Sequence, residues 1–288
     1  MKNIIMYFYE FDTFNYINQN NRYKIEYKGN IYYFYCIINK MELFESLKLV
    51  YNKNAYYKVL TNKDGNIITN VGGKDYCLFK EEVSNFDFDL ELSYYYISDS
   101  KLLNRSNWAK LWGDKIDYLE YQLLHIDGKY NILSDYVDYF IGMGEVAISY
   151  INNSVEGVLK TDMDRFCICH KRINDTDYFN PLNVVIDHKS RDYAEYLKFI
   201  FYNNSYKDKD LNLLLSNFKL SRYGFHLLFG RLLFNSYFFD KYDLIVNNII
   251  KEEEILFIIK KIDEYEIYLK EIYLIINKLV GIKSIDFL

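Results

Sequence analysis

Apolar and polar residues follow a strand-like pattern through roughly the first ninety residues of the chain. The stretch from Arg22 to Ile37 is rich in Tyr and Ile and is broken only at Lys28-Gly29-Asn30, which predicts a β-hairpin. Further along, Tyr56 to Thr61 is predicted to pair with Ile67 to Asn70 across a turn at Asp64-Gly65. This part of the chain is therefore expected to form a sheet.

One short helix is predicted to interrupt these strands. Asn39 is its expected N-terminal cap, Glu42 follows three residues later, and the apolar face contains Leu43, Phe44, Leu47 and Val50. A last strand of this region, Tyr76 to Phe79, follows the glycine pair Gly72-Gly73. The predicted order is strands, one helix, and strands again.

The rest of the chain has mainly helical periodicity. Two short apolar runs, Phe166 to Cys169 and Leu182 to Ile186, are the exceptions and predict strands on either side of a polar turn. The predicted helices are Trp108 to Leu124, a helix capped by Ser134 with its apolar stripe from Val137 to Ile151, Tyr193 to Tyr202, Leu220 to Phe234, and a last helix from Ile255 to Leu279.

The last helix has apolar residues at alternating spacings of three and four, which is a heptad pattern ending before Gly281. Such a face can pack on the core of its own domain or pair with a second chain. The expectation here is packing on the chain's own helical lobe.

These patterns predict an α+β protein of two lobes. Residues 1–95 are expected to form a strand-rich N-terminal lobe, and residues 96–288 a helical C-terminal lobe with the functional site. The boundary is expected between residues 81 and 100, where the patterning changes.

Composition and charge narrow the class of protein. Of the 288 residues, 50% are hydrophobic and 26% charged, which is typical of a globular chain, and the 32 Tyr and 21 Phe are consistent with a genome rich in A and T. The net charge of −5 gives no general attraction to nucleic acid or anionic membranes, although Lys171, Arg172, Lys189 and Arg191 form a local basic group. No uncharged apolar stretch is long enough to span a membrane.

The four cysteines are Cys36, Cys77, Cys167 and Cys169, too few and scattered for a disulfide scaffold, so a reducing cytoplasm is expected. The sequence Cys167-Ile-Cys169-His170 invites a zinc interpretation. Structural zinc sites commonly use two spaced pairs of ligands, however, and strand cysteines behave as small apolar residues. Cys167 and Cys169 are therefore interpreted as buried apolar residues of a strand.

The segment from Arg165 to Tyr196 contains the candidate chemistry. Asp187 ends the second short strand, and Asp192 follows five residues later. Two carboxylates near a strand end can hold a magnesium ion and a phosphate. The residues alone leave a structural alternative open, in which Asp192 caps a helix and Asp187 forms a salt bridge.

The order of elements and three segments of the chain resemble the aminoglycoside and choline kinase-like phosphotransferases, especially their spore-coat-associated relatives in Gram-positive bacteria. The segments are Trp108 to Ile151, His170 to Lys198, and Arg231 to Asp240. The resemblance implies a protein-kinase-like two-lobed fold and a site for ATP and magnesium.

In that family, a His-x-Asp motif supplies the catalytic base, a later Asn binds metal, and an Asp at a strand end binds magnesium. By this resemblance His170 matches the His and Asp187 the strand-end Asp, while Arg172 stands in place of the base and Asp177 in place of the Asn. Asp187 and Asp177 are then the expected metal ligands, with Asp192 beside them at the cofactor site.

The departures from the family pattern argue against ordinary catalysis. An arginine at the base position, Arg172, cannot accept a proton at neutral pH. The strand-like stretch from Ile31 to Ile37 also contains no lysine for the phosphates, and no glycine-rich phosphate loop precedes it.

Three hypotheses follow for the function. The first is a non-catalytic, pseudokinase-like protein that binds a protein partner, a small molecule or a nucleotide in the cytoplasm or in association with a spore. The second is an active phosphotransferase with a rearranged site, and the third is a structural protein of a spore or another assembly.

Overall fold

The computed structural model describes residues 1–19, 22–50, 57–82, 100–126, 128–174, 178, 180–283 and 285. The predicted lobe boundary falls largely on residues 83–99, and that position and Asp177 both lie outside the described residues. The described residues form two compact units. One is drawn from Met1–Asp87, Ser100–Leu103 and Asp175–Val184, and the other from the remainder of the chain.

The first unit is built on an antiparallel sheet. Its described helices and strands are α1 (Lys2–Tyr9), β1 (Asn15–Gln19), β2 (Arg22–Tyr27), β3 (Asn30–Ile37), α2 (Lys40–Val50), β4 (Tyr57–Leu60), β5 (Ile68–Val71) and β6 (Lys74–Glu81). The strand order is β1-β2-β3-β6-β4, and β5 also pairs with β6.

The predicted hairpin and the predicted cap in this unit are both confirmed. β2 and β3 are antiparallel neighbours joined at Lys28 and Gly29, which both have positive φ angles. That conformation suits the tight turns whose twist matches a hairpin. The Asn39 side chain accepts hydrogen bonds from the backbone N–H groups of Met41 and Glu42, so it caps α2 as expected.

The predicted pairing of the next two strands is wrong. β4 and β5 do not pair with each other; both pair with β6, β5 along Lys74–Cys77 and β4 along Leu78–Glu81. The long β6 has room for both on one edge. The turn at Asp64-Gly65 is instead closed locally, because the Asn62 side chain accepts hydrogen bonds from two backbone N–H groups within it.

Alternate residues of β3 pack into two different cores. Tyr32 and Phe34 contact a cluster that includes Ile5 of α1, whereas Tyr33 and Tyr35 contact a cluster that includes Leu43 of α2. This alternation is the two-residue period of a strand that is covered on both faces. The sequence patterns did not predict α1, a helix of eight residues with no side-chain cap.

The second unit is mainly helical. Its described helices and strands are α3 (Trp108–Ile126), α4 (Asn131–Ser154), β7 (Phe166–His170), β8 (Val184–His188, whose first residue groups with the first unit), α5 (Ser190–Tyr202), α6 (Leu211–Ser216), α7 (Arg222–Leu233), α8 (Ser236–Val246), α9 (Leu256–Ile259) and α10 (Ile262–Val280). The predicted strands at Phe166 and Leu182 and the helices near Trp108, Tyr193 and Leu220 are therefore confirmed, with small shifts at their ends.

Two helix starts differ from the prediction. α4 begins at Asn131, and the Ser134 hydroxyl donates to the Tyr130 carbonyl instead of capping the helix. The start of α4 is supported from a distant position, because the Leu133 N–H donates to the Glu252 carboxylate. Local sequence could not reveal that partner.

The last predicted helix is interrupted. Residues 252–259 form a 3₁₀ turn and the short α9, and α10 begins only at Ile262. The buried face of α10 includes Leu269 and Ile272 and lies against α6 and α7 of the same unit, which is the packing that was expected. Gly281, with a φ angle of 66°, ends the helix as predicted. Among the described residues, no helix is long and apolar enough to cross a membrane.

Candidate functional site

The centre of the second unit lies where β7 and β8 end and α5 begins. Residues before α3 extend this small sheet, since Asn104 bridges in parallel to Ile186 and the Arg105 N–H donates to the Ile186 carbonyl at 3.0 Å. This pairing fixes the start of α3, where Trp108 is the first residue, beside the end of β8.

Asp187 is fully buried, and both oxygens of its carboxylate accept hydrogen bonds. Oδ2 accepts from the Trp108 indole Nε1 and from Arg191 Nη1, both at 2.7 Å. Oδ1 accepts from the backbone N–H of His188, also at 2.7 Å. A buried carboxylate needs such partners, and here all three are N–H groups of the protein.

Arg191 and Asp192, which follow β8 in the chain, connect it to β7 through His170. Arg191, which pairs with Asp187, also donates from Nε to the His170 carbonyl at 2.8 Å. Asp192 accepts from the His170 backbone N–H and lies 2.7 Å from the ring nitrogen Nδ1 of the same histidine. The sequence Arg191-Asp192 therefore fixes the backbone and the imidazole of His170 at the end of β7.

His188 makes a second link of this kind. The Ser190 backbone N–H donates to His188 Nδ1, which places the ring proton on Nε2, 3.1 Å from the Asp164 carboxylate. Burial opposes ionisation of Asp164, but hydrogen bonds from His188, Ser221 and Thr161 outweigh it and lower the pKa of Asp164 to about 2. Asp164 is therefore ionised at neutral pH.

Arg172 is held by two carboxylates. Its guanidinium donates to both oxygens of Asp240, from Nε at 2.6 Å and from Nη2 at 2.8 Å, and Nη1 donates to the Lys171 carbonyl. Glu195 lies 3.7 Å away. Although burial alone would lower the pKa of Arg172, the charges of Asp240 and Glu195 raise it, so the guanidinium is permanently charged.

Glu195 is a fully buried carboxylate among three cations. Its Oε1 lies 3.1 Å from Arg231 Nε, 3.0 Å from Arg231 Nη2 and 3.7 Å from Lys198 Nζ. Its Oε2 has no hydrogen-bond partner in the described part of the chain. Burial would raise the pKa of Glu195, but Arg172, Lys198 and Arg231 lower it to about 2. The carboxylate is ionised and binds these side chains together.

Sequence reasoning did not identify Glu195, Lys198 or Arg231 as members of this cluster. The sequence carries a signal only at Arg231, which is the single charge in the apolar run from Leu227 to Phe234. Charged side chains are almost never fully buried unless they are paired. Lys198 also donates to the Phe234 carbonyl and the Ser236 hydroxyl. Burial lowers the pKa of its ammonium to about 7, against the attraction of Glu195.

A cavity of about 490 Å³ opens beside this cluster within the second unit. Four aromatic side chains line it, Trp108, Trp112, Phe234 and Phe239. Among the described residues, its lining also contains one carboxylate, that of Asp240, and six cationic side chains: Arg105, Lys115, Lys171, Arg172, Arg191 and Arg231. Such a lining suits an anion that also carries an apolar group.

A second cavity of about 360 Å³ lies in the same unit. Arg172 and Asp240 line it as well, together with Tyr202 and Tyr237, whose rings are stacked. The Arg172–Asp240 ion pair therefore contributes to the lining of both cavities.

The structure brings four of the predicted site residues into one region. His170, Asp187 and Asp192 are linked through their direct partners, and Arg172 lines the same cavity as Arg191, the partner of Asp187 and His170. Cys167 and Cys169 are buried in β7 with their sulfur atoms 3.4 Å apart. Within the described ranges, no group of three or more His, Cys, Asp or Glu side chains is arranged to hold a metal ion.

The described surroundings of Asp187 do not match a magnesium site. Magnesium prefers oxygen ligands, whereas the three partners of Asp187 are N–H donors and one of them, Arg191, is itself cationic. The other predicted ligand, Asp177, lies outside the described residues, so a magnesium site formed with it stays a prediction.

Solved structures with the same fold define the class of this protein. Spectinomycin phosphotransferase APH(9)-Ia, in complex with ADP and spectinomycin, matches with a TM-score of 0.57 at 10% identity, over 95% of each chain. An aminoglycoside phosphotransferase from Alicyclobacillus acidocaldarius matches with a TM-score of 0.55 at 11% identity, over 96% of each chain. The chain therefore has the α+β, kinase-like fold of the aminoglycoside phosphotransferases, as the resemblance implied.

The family is narrower than the fold. Residues 2–272 match the family described as "Spore coat putative kinase YutH", and the chain belongs to that family. A relative from Bacillus subtilis (strain 168), the endospore coat-associated protein YutH, is 28% identical. That match covers 62% of this chain and 61% of the relative, so it spans about three-fifths of the relative's length.

Proposed function

We propose that this protein is a non-catalytic member of the kinase-like fold that binds a ligand in association with the bacterial spore. The observation that carries the proposal is the ion pair between Arg172 and Asp240. By the family resemblance, Arg172 occupies the position of the catalytic base. Here that position holds a guanidinium with two hydrogen bonds to a carboxylate.

The chemistry of the base position supports this proposal. The aspartate at this position in a kinase accepts the hydroxyl proton of the substrate. Arg172 cannot accept a proton, and its carboxylate partners raise its pKa further. General base catalysis typically contributes a factor of about 10² to 10⁴ in rate, so its loss alone weakens phosphoryl transfer severely.

The strand that would supply the phosphate-binding lysine supports the same conclusion. β3 contains no lysine. The neighbouring β2 has two cations, Arg22 and Lys24. Arg22 donates to the Tyr35 hydroxyl, and its guanidinium lies over the rings of Tyr33 and Tyr35. These contacts direct its charge toward aromatic side chains of its own sheet.

Phosphoryl transfer can be tested directly on the purified full chain. ATP turnover would be measured with magnesium over a panel of hydroxyl and amine acceptors, for the wild type and for Asp187→Ala. We expect no turnover above the variant. Robust turnover that disappears in Asp187→Ala would refute the non-catalytic assignment. Melting temperatures with ATP and magnesium, and with each alone, would show separately whether a nucleotide binds.

The spore association rests on the family and on the endospore coat-associated relative. A fluorescent fusion expressed in sporulating cells of the source organism would be followed through spore formation. We expect the signal to concentrate at the developing spore. A signal that stays evenly distributed in the mother cell after the coat has formed would contradict this part of the proposal.

A further inference from the structure

Two buried arginines of the second unit each keep one nitrogen without an acceptor among the residues that the structure describes. The hydrogen bonds of Arg191 use Nε and Nη1, and the contacts of Arg231 use Nε and Nη2. Within the described ranges, Nη2 of Arg191 and Nη1 of Arg231 have no acceptor. Neither nitrogen is among the fully enclosed polar atoms that lack a partner, so both reach open space.

The larger cavity lies beside both arginines, since Arg191 and Arg231 line it. Their two side chains are 91% and 96% buried, which is unusual for cations that keep unused donors. Five N–H donors in a planar fork match the oxygens of a phosphate or a carboxylate. The unused donors therefore point to an anionic ligand.

The positive charges in this region also crowd one another. Burial and the positive charge of Arg191 lower the pKa of Arg231 to about 10. The carboxylates that pair with these arginines, Asp187 and Glu195, do not line the cavity, whose described lining has six cations and one carboxylate. A cationic ligand would meet repulsion here, whereas an anion would relieve the crowding.

The rest of the ligand must suit an aromatic wall. The rings of Trp112 and Phe234 are stacked at 4.5 Å between their centroids, and Phe239 is stacked against Phe234 at 4.6 Å. Trp108 continues the row, with the Arg231 guanidinium 4.9 Å from its ring centroid. Aromatic rings of this kind pack well against a planar or apolar group.

We propose that this cavity binds a phosphate monoester of a small aromatic or apolar alcohol, with the phosphate between Arg191 and Arg231 and the organic group on the wall of Trp112 and Phe234. The inference rests on the proposed non-catalytic function, because a site that keeps the phosphorylated molecule has no need of a base. A volume of about 490 Å³ accommodates a ligand of this size.

Phenyl phosphate is a suitable probe for this site. Its binding to the full chain would be measured by calorimetry and by melting temperature, without magnesium or nucleotide. Inorganic phosphate tests the anion alone and phenol tests the ring alone. We expect phenyl phosphate to raise the melting temperature by several degrees at saturation, inorganic phosphate to bind at least tenfold more weakly, and phenol to have no effect.

Two pairs of variants locate the binding. Leu111 is 40% exposed and lines the cavity, so Leu111→Trp should fill its opening and abolish binding, whereas Leu124→Trp, at an 80% exposed position on the same helix, should not. Lys115→Glu should weaken binding about tenfold by placing a negative charge in the lining. Lys110→Glu, also on α3 and outside the lining, is its control.

The outcomes separate this inference from the proposed function. Failure of phenyl phosphate to bind, binding that is unchanged in both Leu111→Trp and Lys115→Glu, or equally tight binding of inorganic phosphate would each overturn the inference. ATP turnover would overturn the proposed function, whereas the inference about the cavity would still be decided by the binding measurements.

Discussion

Arg172 and Asp240 are joined by two hydrogen bonds, one to each carboxylate oxygen, although they lie 68 positions apart in the chain. Arg172 follows β7, and Asp240 lies in α8. The Asp240 side chain is about half exposed, whereas Glu195, the other carboxylate near Arg172, is fully buried. The pair thus connects a buried charge cluster to the lining of two cavities. A change at Asp240 should therefore alter the affinity of the larger cavity for anions.

Asp240→Asn should strengthen the binding of phenyl phosphate several-fold. The change removes the single described carboxylate from the lining of the larger cavity and frees the Arg172 donors. Because Asp240 is half exposed, the loss of its ion pair should cost no more than about 1 kcal/mol of unfolding free energy. Calorimetry and urea denaturation would measure the two effects.

The control for this variant is Asp263→Asn, which makes the same change in net charge at an exposed position of α10. We expect it to leave the affinity unchanged. Weaker binding of phenyl phosphate by Asp240→Asn than by the wild type would contradict the prediction, because it would mean that the Asp240 carboxylate contributes to binding.

Glu195→Gln should destabilise the fold strongly. The change leaves the buried Lys198 and Arg231 and the partly exposed Arg172 without their shared countercharge. Removing one partner from a buried ion pair typically costs about 3–5 kcal/mol. Urea denaturation at pH 7 would measure the loss against Glu271→Gln on the exposed face of α10, for which less than about 0.5 kcal/mol is expected. A loss below 1 kcal/mol for Glu195→Gln would mean that the cluster is readily hydrated.

The parts of the fold that could be predicted from the sequence are those determined by nearby residues. The turn at Lys28-Gly29 and the cap at Asn39 depend on residues within three positions of each other, and both were confirmed. The pairing of β4 and β5 depends instead on β6, a later strand that is long enough to bind both along one edge. The same limit applies to the start of α4, which uses Glu252.

The candidate site divides in the same way. Asp187 and His170 could be selected because each follows a short apolar run and matches a family motif. The direct pairing of Glu195 with Arg231 joins residues 36 positions apart on α5 and α7, so spacing gives no hint of it. A family motif also predicts the type of residue expected at a position, but it cannot show that Asp187 already has three N–H partners.

His226→Leu should flatten the dependence of stability on pH between about pH 6.5 and pH 4. Burial, with smaller contributions from the charges of Arg222 and Lys283, lowers the pKa of His226 to about 4. The unfolded chain therefore binds this proton more readily than the folded chain does. The stability associated with the neutral imidazole is present above the unfolded pKa, near 6.5, and is lost as the pH falls toward 4.

Melting temperatures of the two proteins across that range would test this prediction. His125→Leu, at an exposed position near the end of α3, is the control and should retain the slope of the wild type. The Tyr150 hydroxyl loses its partner at Nδ1 in the His226 variant, so a uniform loss of stability at all pH values is also expected. An unchanged slope would mean that His226 is protonated in the folded protein with little cost.

Gly230→Ala should destabilise the packing of α4 against α7. A Cβ atom at Gly230 would overlap the end of the Ile151 side chain and would lie 3.3 Å from the Tyr150 ring. Forcing an extra carbon into a well-packed core typically costs about 1–3 kcal/mol. Gly142→Ala, in the middle of α4, is the matched substitution, because a Cβ there meets no atom of the described residues within 4 Å. That variant should instead gain up to about 1 kcal/mol from the higher helix propensity of alanine. Chemical denaturation of both variants should therefore shift in opposite directions from the wild type. Stabilisation of Gly230→Ala would show that Ile151 can move aside and that the two helices are not in the close contact described here.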